Sequence, residues 1–160
     1  MNICVFGDYD SEYNRNRVLL KGLVSAGASL TRIEIHSTEL FVILRALRDV
    51  RAQSNAIDVI LVPYSESRLW VPLLFLVSRK PIVWDAFFSR YDTIINDRAL
   101  ASRVSLKALY HWIADWLSVH LASTILLDTH EHINYFIRTF GRRESAYVRV
   151  LVGAEDPQNN

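Results

Sequence analysis

Six short apolar runs alternate along this chain with longer stretches of helical periodicity, and that alternation constrains the fold more than any other feature. The runs are Asn2–Phe6, Ser29–His36, Ile57–Val62, Pro81–Trp84, Ser123–Leu127 and Tyr147–Val152. Most are near-continuous in hydrophobic residues, as parallel strands buried on both faces must be. Helical patterns fill the gaps at about Asn14–Ala26, Thr38–Ala52, Ser67–Ser78, Asp97–His120 and Thr129–Phe140. Such repetition is the signature of βαβ units. The expectation is therefore an α/β chain: a Rossmann-like, doubly wound, mainly parallel six-stranded sheet in a single domain. A strand order of 3-2-1-4-5-6 is expected. Ligands in such sheets bind beyond the strand C-termini at the switch point, here beside strands one and four.

Local signals set the element limits. Gly27 is expected to end the first helix in a left-handed conformation, and Ser37-Thr38-Glu39 to open the second. Asp128-Thr129-His130-Glu131 has the spacing of a capping box, with Asp128 closing the helix start and Glu131 reaching back. No repeat or internal linker interrupts residues 1–153, which read as the domain. Residues 154–160 are polar and read as a tail or the start of an interdomain linker.

Composition narrows the function classes. With 18 basic and 17 acidic residues among 160, the formal charge is +1, which argues against a nucleic-acid polymer as partner. The single cysteine, Cys4, lies within an apolar run and has no internal disulfide partner, as in a reducing compartment. The N-terminus reads as a strand rather than a signal peptide. Leu69–Val77, the most apolar segment, is far shorter than the ~20 residues a membrane span needs. A cytoplasmic protein is expected, with peripheral contact to the inner membrane face as a further option.

Chemistry should then sit in the loops after the strands. The first runs from Gly7 to Arg17; Gly7 permits close backbone approach, and Arg15 or Arg17 can add donor forks to an anion at the helix start. Neither G-x-G-x-x-G nor G-K-[ST] is present. Asp8-x-Asp10 in the same loop has the pattern of a Mg²⁺-dependent, aspartate-based phosphatase, but no suitably placed Lys accompanies it. The second loop is Trp84-Asp85-Ala86-Phe87-Phe88-Ser89-Arg90-Tyr91-Asp92-Thr93. An acidic residue at a strand end among aromatics suits a sugar site, where flat apolar faces combine with a few oriented polar groups. Tyr64 follows strand three, and Asp128-Thr129-His130 follows strand five. His130-Glu131-His132 lacks the i, i+4 spacing of a helical zinc site, so no metal site is expected.

The helix at Asp97–His120 is amphipathic. Leu106, Leu109, Tyr110, Trp112, Ile113, Trp116 and Leu117 share one arc; Arg103, Lys107, His111 and Ser118 share the other. The simplest expectation packs the apolar arc on the sheet. Arg103, Lys107, Trp112 and Trp116 also have the composition of an interfacial membrane contact.

Taken in order, these segments resemble the N-terminal half of a family 4 glycosyltransferase of the GT-B fold. The resemblance rests on Ile3–Asp10, on Arg15-Asn16-Arg17, on Trp84–Ser89 with Tyr91-Asp92-Thr93, and on the closing Val150-Leu151-Val152-Gly153-Ala154-Glu155-Asp156. It implies an acceptor-binding domain that faces a C-terminal donor-binding domain across a cleft. The donor domain's E-x7-E motif is not in this sequence. It further implies retaining transfer from a nucleotide-sugar to a sugar or lipid-linked acceptor, with no metal; no cofactor is expected. By the same resemblance, Asp85 contacts the transferred sugar or acceptor, and Arg15 or Arg17 approaches the donor phosphates. Gly7, Asp8, Tyr64, Phe88 and Asp92 complete the substrate wall. Gly7-Asp8 replaces the Gly-Gly pair common in the family, and Asp85 stands where many members carry His. Two other readings are a binding subunit of a split transferase and a Mg²⁺-dependent phosphatase using Asp8 and Asp10.

Overall fold

The computed structural model describes residues 1–94 and 105–151. Six parallel strands form one sheet: β1 (Asn2–Gly7), β2 (Ser29–Glu34), β3 (Val59–Val62), β4 (Ile82–Phe87), β5 (Thr124–Leu127) and β6 (Tyr147–Arg149). The connecting helices are α1 (Asn14–Ser25), α2 (Leu40–Ala52), α3 (Trp70–Val77), the single turn α4 (Arg90–Asp92), α5 (Leu106–Leu121) and α6 (His130–Phe140). The α/β, Rossmann-like expectation holds. The predicted helix start at Asp97, the tail 154–160, and most of the closing 150–156 segment lie outside the described residues.

The strand order is β2-β1-β3-β4-β5-β6, not 3-2-1-4-5-6. Burial explains the correction. In β3, Ile60, Leu61 and Val62 are all buried and require a neighbouring strand on each side. β2 instead keeps Ser29, Thr31, Arg32 and Glu34 exposed, with Leu30 and Ile33 only partly buried, and so tolerates the sheet edge. The switch point consequently falls between β1 and β3.

Among the described helices α1 covers one face, with Leu20 against Ile3, Val5 and Leu61. Helices α2, α3, α5 and α6 cover the other, around Phe6, Ile60, Val62, Trp84, Ile125 and Leu127. Beyond α1, Gly27 has φ +84° and its N–H bonds the Val24 carbonyl, as expected of a left-handed C-terminal residue. Two capping expectations are corrected. Helix α6 starts one residue later than the capping box required: Thr129, not Asp128, accepts from the His132 N–H, and the Asp128 carboxylate takes the His132 ring at 2.5 Å. Helix α2 starts at Leu40 without a side-chain cap, while Ser37 Oγ accepts from the Glu39 N–H just outside it.

Helix α5 is turned over relative to expectation. Its buried residues are Ala108, Ala114, Asp115, Ser118 and Val119, whereas Leu106, Leu109, Tyr110, Ile113 and Trp116 are exposed. Small side chains let the helix approach closely, and the one carboxylate on that side meets a buried arginine described below. Trp112 sits at the border, half-buried against the core.

Candidate functional site

The loops after β1, β3 and β4 meet at the C-terminal edge of the sheet, beside the β1/β3 switch point. Three buried polar side chains organise them. Asn16, in the first turn of α1, is fully buried; its amide donates to the Asp10 carbonyl and to the Tyr64 carbonyl, both at 2.9 Å. One side chain thus ties the β1–α1 loop to the β3–α3 loop. Gly7 ends β1 at φ +140°, and a Cβ there would stand 3.3 Å from the Trp70 ring. The close approach leaves Trp70 Nε1 donating to the Asp8 carboxylate at 2.5 Å.

Arg15 is the second organiser. Its Nε and Nη2 grip the Asp85 carboxylate at 2.7–3.0 Å, and its Nη1 donates to the Val150 carbonyl at 3.1 Å. Both partners are buried, Asp85 completely. Burial pushes the Asp85 carboxyl up, and the Arg15 fork and charge oppose that. The guanidinium also lies over the Phe87 ring, 4.5 Å from its centroid. Two residues expected in separate roles, one on the sugar and one on the phosphates, therefore face each other 70 positions apart in sequence. Neither presents its charge to solvent.

Arg68, from the loop before α3, is the third. Its Nη1 donates to the Ala86 carbonyl and its Nη2 to the Phe88 carbonyl, both at 3.1 Å. Those two carbonyls flank Phe87, whose φ of +61° makes it the one non-glycine residue with positive φ among those described. The Phe88 N–H bonds the Ala86 carbonyl at 2.7 Å, closing a γ-turn centred on Phe87. A positive-φ γ-turn is strained for a bulky residue and persists only where the surroundings hold it. The strand register also slips here, between Asp85 and Phe87.

Arg68 is fixed in turn by α5. Asp115 stands 3.7 Å from Arg68 Nε, and Ser118 Oγ donates to the Arg68 carbonyl at 2.8 Å. Asp115 also accepts from Ser89 Oγ at 2.8 Å and from the Tyr91 N–H at 3.1 Å. Desolvation raises the Asp115 carboxyl's pKa and lowers that of Arg68, each opposed by the other's charge. The buried face of α5 thus clamps both ends of the turn after β4.

What this scaffold presents is aromatic. Tyr64 meets Tyr13, Phe87 and Phe88 at centroid distances of 5.3, 5.2 and 5.4 Å, and Phe87 meets Phe88 at 4.9 Å. All four rings are exposed or half-exposed along the strand C-terminal edge. Exposed Asp8 and half-buried Arg17 stand in the same loops, while Asp92 places its N–H on Ser89 Oγ and its carboxylate against the Tyr135 hydroxyl of α6. Arg17 contacts Asn14 and lies 3.8 Å from Glu12, while Arg90 pairs with Glu66 at 3.4 Å. Asp10 accepts from the Glu12 N–H at 2.8 Å, a turn role. Among the described residues, no three His, Cys, Asp or Glu side chains converge as metal ligands would.

Sequence reasoning placed Gly7, Asp8, Arg15, Arg17, Tyr64, Asp85, Phe88 and Asp92 at this edge, and all lie there. It gave no separate role to Tyr13, Asn16 or Phe87, which lie in the loops it marked, and it missed Arg68 and Asp115. A lone carboxylate inside the apolar stretch Ala114-Asp115-Trp116 is the signal that a buried partner exists, though not which one. Of the proposed membrane residues, Lys107 is exposed, Trp116 is 37% exposed, Trp112 is half-buried, and Arg103 lies outside the described residues. No described helix is long and apolar enough to cross a membrane.

No family model matches the chain, and no curated protein matches it by sequence. Among solved structures it is similar to HepE from Anabaena, crystallised with UDP and glucose, with a TM-score of 0.52 at 13% identity. The match covers 96% of this chain and 44% of HepE, so this chain spans less than half of that protein's length. At this identity the likeness is one of fold: a Rossmann-like α/β unit of the kind found in a protein that holds UDP and glucose.

Proposed function

We propose that this chain is the acceptor-binding half of a retaining, nucleotide-sugar-dependent glycosyltransferase, completed by a donor-binding domain in the same or a separate chain. The observation that carries the reading is the aromatic wall of Tyr13, Tyr64, Phe87 and Phe88 at the strand C-terminal edge, held by a strained turn. Sugar rings present flat C–H faces that stack on aromatic rings, while hydroxyls need a few directed polar groups. Exposed Asp8 supplies such a group in the loop that carries Tyr13. Arg17 and Arg90 are half-exposed cations that follow the first and fourth strands, suited to a diphosphate approaching from the facing domain. The UDP and glucose held by HepE are the two pieces of a nucleotide-sugar, which favours the same substrate class here.

In this reading Asp85 serves the cleft as a positioning residue. Its carboxylate fixes Arg15, which underlies Phe87 and binds the chain leaving β6. The exposed apolar side of α5 gives the domain a surface for peripheral contact with a membrane carrying a lipid-linked acceptor. The phosphatase alternative gains nothing from the geometry, because Asp10 is engaged by its own loop rather than paired with Asp8. Hydrolysis of a phosphate ester, lost in Asp8→Asn, would restore it.

The experiment compares transfer of labelled glucose from UDP-glucose by this chain alone and by the chain joined to a GT-B donor-binding domain. No transfer is expected from the chain alone, and transfer from the joined protein. Transfer by the isolated chain would overturn the half-site reading.

A further inference from the structure

The opposite edge of the sheet carries an open pocket of about 430 Å³, lined by His120, Ser123, Gly141, Arg142, Arg143, Ser145 and Ala146. It lies where α5 ends, where α6 ends, and where β5 and β6 begin. Two arginines, a histidine and two serines contribute to its wall, and no carboxylate does. Arg142 is held in place by a hydrogen bond from its Nη1 to the Val119 carbonyl. That bond also balances the negative end of the α5 dipole, which would otherwise disfavour an anion here. Arg143 and Ser145 are exposed and engage no other side chain among the described residues.

A second observation points to the character of the ligand. His120 lies tilted against Trp116 with centroids 4.3 Å apart and its Nδ1 on the Trp116 carbonyl at 2.8 Å, and Trp116 stacks on Trp112 at 6.3 Å. Trp116 is exposed on α5, as are Ile113 and Leu109 three and seven positions before it, so the pocket borders an exposed apolar helix face. A convergent set of cationic and hydroxyl donors beside an apolar helix face suits an anion joined to something less polar. Arg forks and hydroxyls together match the several acceptor oxygens of a phosphate better than the two of a carboxylate.

We propose that this cavity binds a phosphate group, either the headgroup of an anionic phospholipid or the phosphate of a soluble molecule. The site is remote from the aromatic wall, so it stands whether or not the glycosyl-transfer reading does.

The test uses two probes on the intact chain: inorganic phosphate by calorimetry, and sedimentation with vesicles of phosphatidylcholine alone or mixed with phosphatidylglycerol. Arg143→Gln removes a donor fork and Ser145→Asp adds a repelling charge; both positions are exposed, so unchanged circular dichroism is expected. Arg48→Gln on α2, an exposed cation outside the cavity, is the control. Binding of at least one probe is expected, weakened about tenfold by Arg143→Gln, more by Ser145→Asp, and unchanged by Arg48→Gln. Phosphate binding alone assigns a soluble ligand; binding to mixed vesicles alone assigns the lipid. Absence of binding to either probe overturns the proposal. So does equal loss in all three variants, which would mean diffuse charge attraction.

Discussion

The two buried ion pairs behind the aromatic wall are built differently. Arg15 and Asp85 meet as fork and carboxylate, with three hydrogen bonds of 3.0 Å or less. Arg68 and Asp115 stand 3.7 Å apart, and Arg68 Nε and one Asp115 oxygen have no hydrogen-bond partner. The strong bonds of the second pair go elsewhere: Arg68 to two backbone carbonyls, Asp115 to Ser89 and the Tyr91 N–H. The first pair is a tie between α1 and β4. The second is a former for the loop between them and the solvent, with its charges balancing each other at a distance. A tie fails by losing stability; a former fails by releasing a shape.

That contrast can be broken. Asp85→Asn strands the Arg15 guanidinium in the interior, and a loss of about 3–5 kcal/mol is expected in chemical denaturation. Replacing both Arg15 and Asp85 by Leu should recover much of it, since a buried pair exchanged for apolar residues is often near neutral. If the double variant is as unstable as the sum of the singles, the pair is not a closed unit. Asp115→Asn should cost less, about 1–3 kcal/mol, because an amide oxygen can still accept from Ser89 and Tyr91. Its larger effect is expected on amide exchange of residues 86–92, which should speed up while exchange in the β1 strand stays slow.

Phe87→Gly sharpens the comparison at the point where the former acts. Glycine relieves roughly 1 kcal/mol of positive-φ strain, while the ring's contacts to Tyr64, Phe88 and Arg15 are lost. Net stability should change little, and sugar binding should weaken. Cys4 calibrates burial without a partner, and its effect is confined to alkaline pH. Burial alone pushes its thiol from 9.0 up to about 11. A folded pKa above the unfolded one means stability is retained below pH 9 and lost as pH rises from 9 through 11. Cys4→Val should flatten that limb by up to about 2–3 kcal/mol. An unchanged limb would assign it to the buried tyrosines, such as Tyr147, raised to about 12.

The sheet was legible in the sequence because buried parallel strands leave apolar runs that no loop imitates. Strand order was less so. Four polar residues among the six of Ser29–Glu34 mark an edge strand, and weighing them would have put β2 at the sheet edge and β3 inside, next to β1. Arg15 and Asp85 were both marked as important by their position after strands. Their pairing was hidden, since nothing local in either loop points to a partner 70 residues away. Helix α5 misled in an instructive way. Hydrophobic periodicity finds a stripe but does not say which side meets the sheet when the inner side needs small residues and one acid. The γ-turn at Phe87 has no sequence signal, because strain is held by surroundings rather than encoded by the strained residue.

The central claim is that Arg68 and Asp115 shape the turn at Phe87 so that Tyr13, Tyr64, Phe87 and Phe88 form a sugar-binding wall. It is tested most directly by titrating the labelled chain with glucose and with N-acetylglucosamine while following backbone amides by NMR. Perturbations are predicted at residues 13, 64 and 86–89, strongly reduced in Arg68→Met while the β1 and β3 amides keep their positions. Perturbations confined to other residues, or a response at the wall that Arg68→Met leaves intact, would contradict the account.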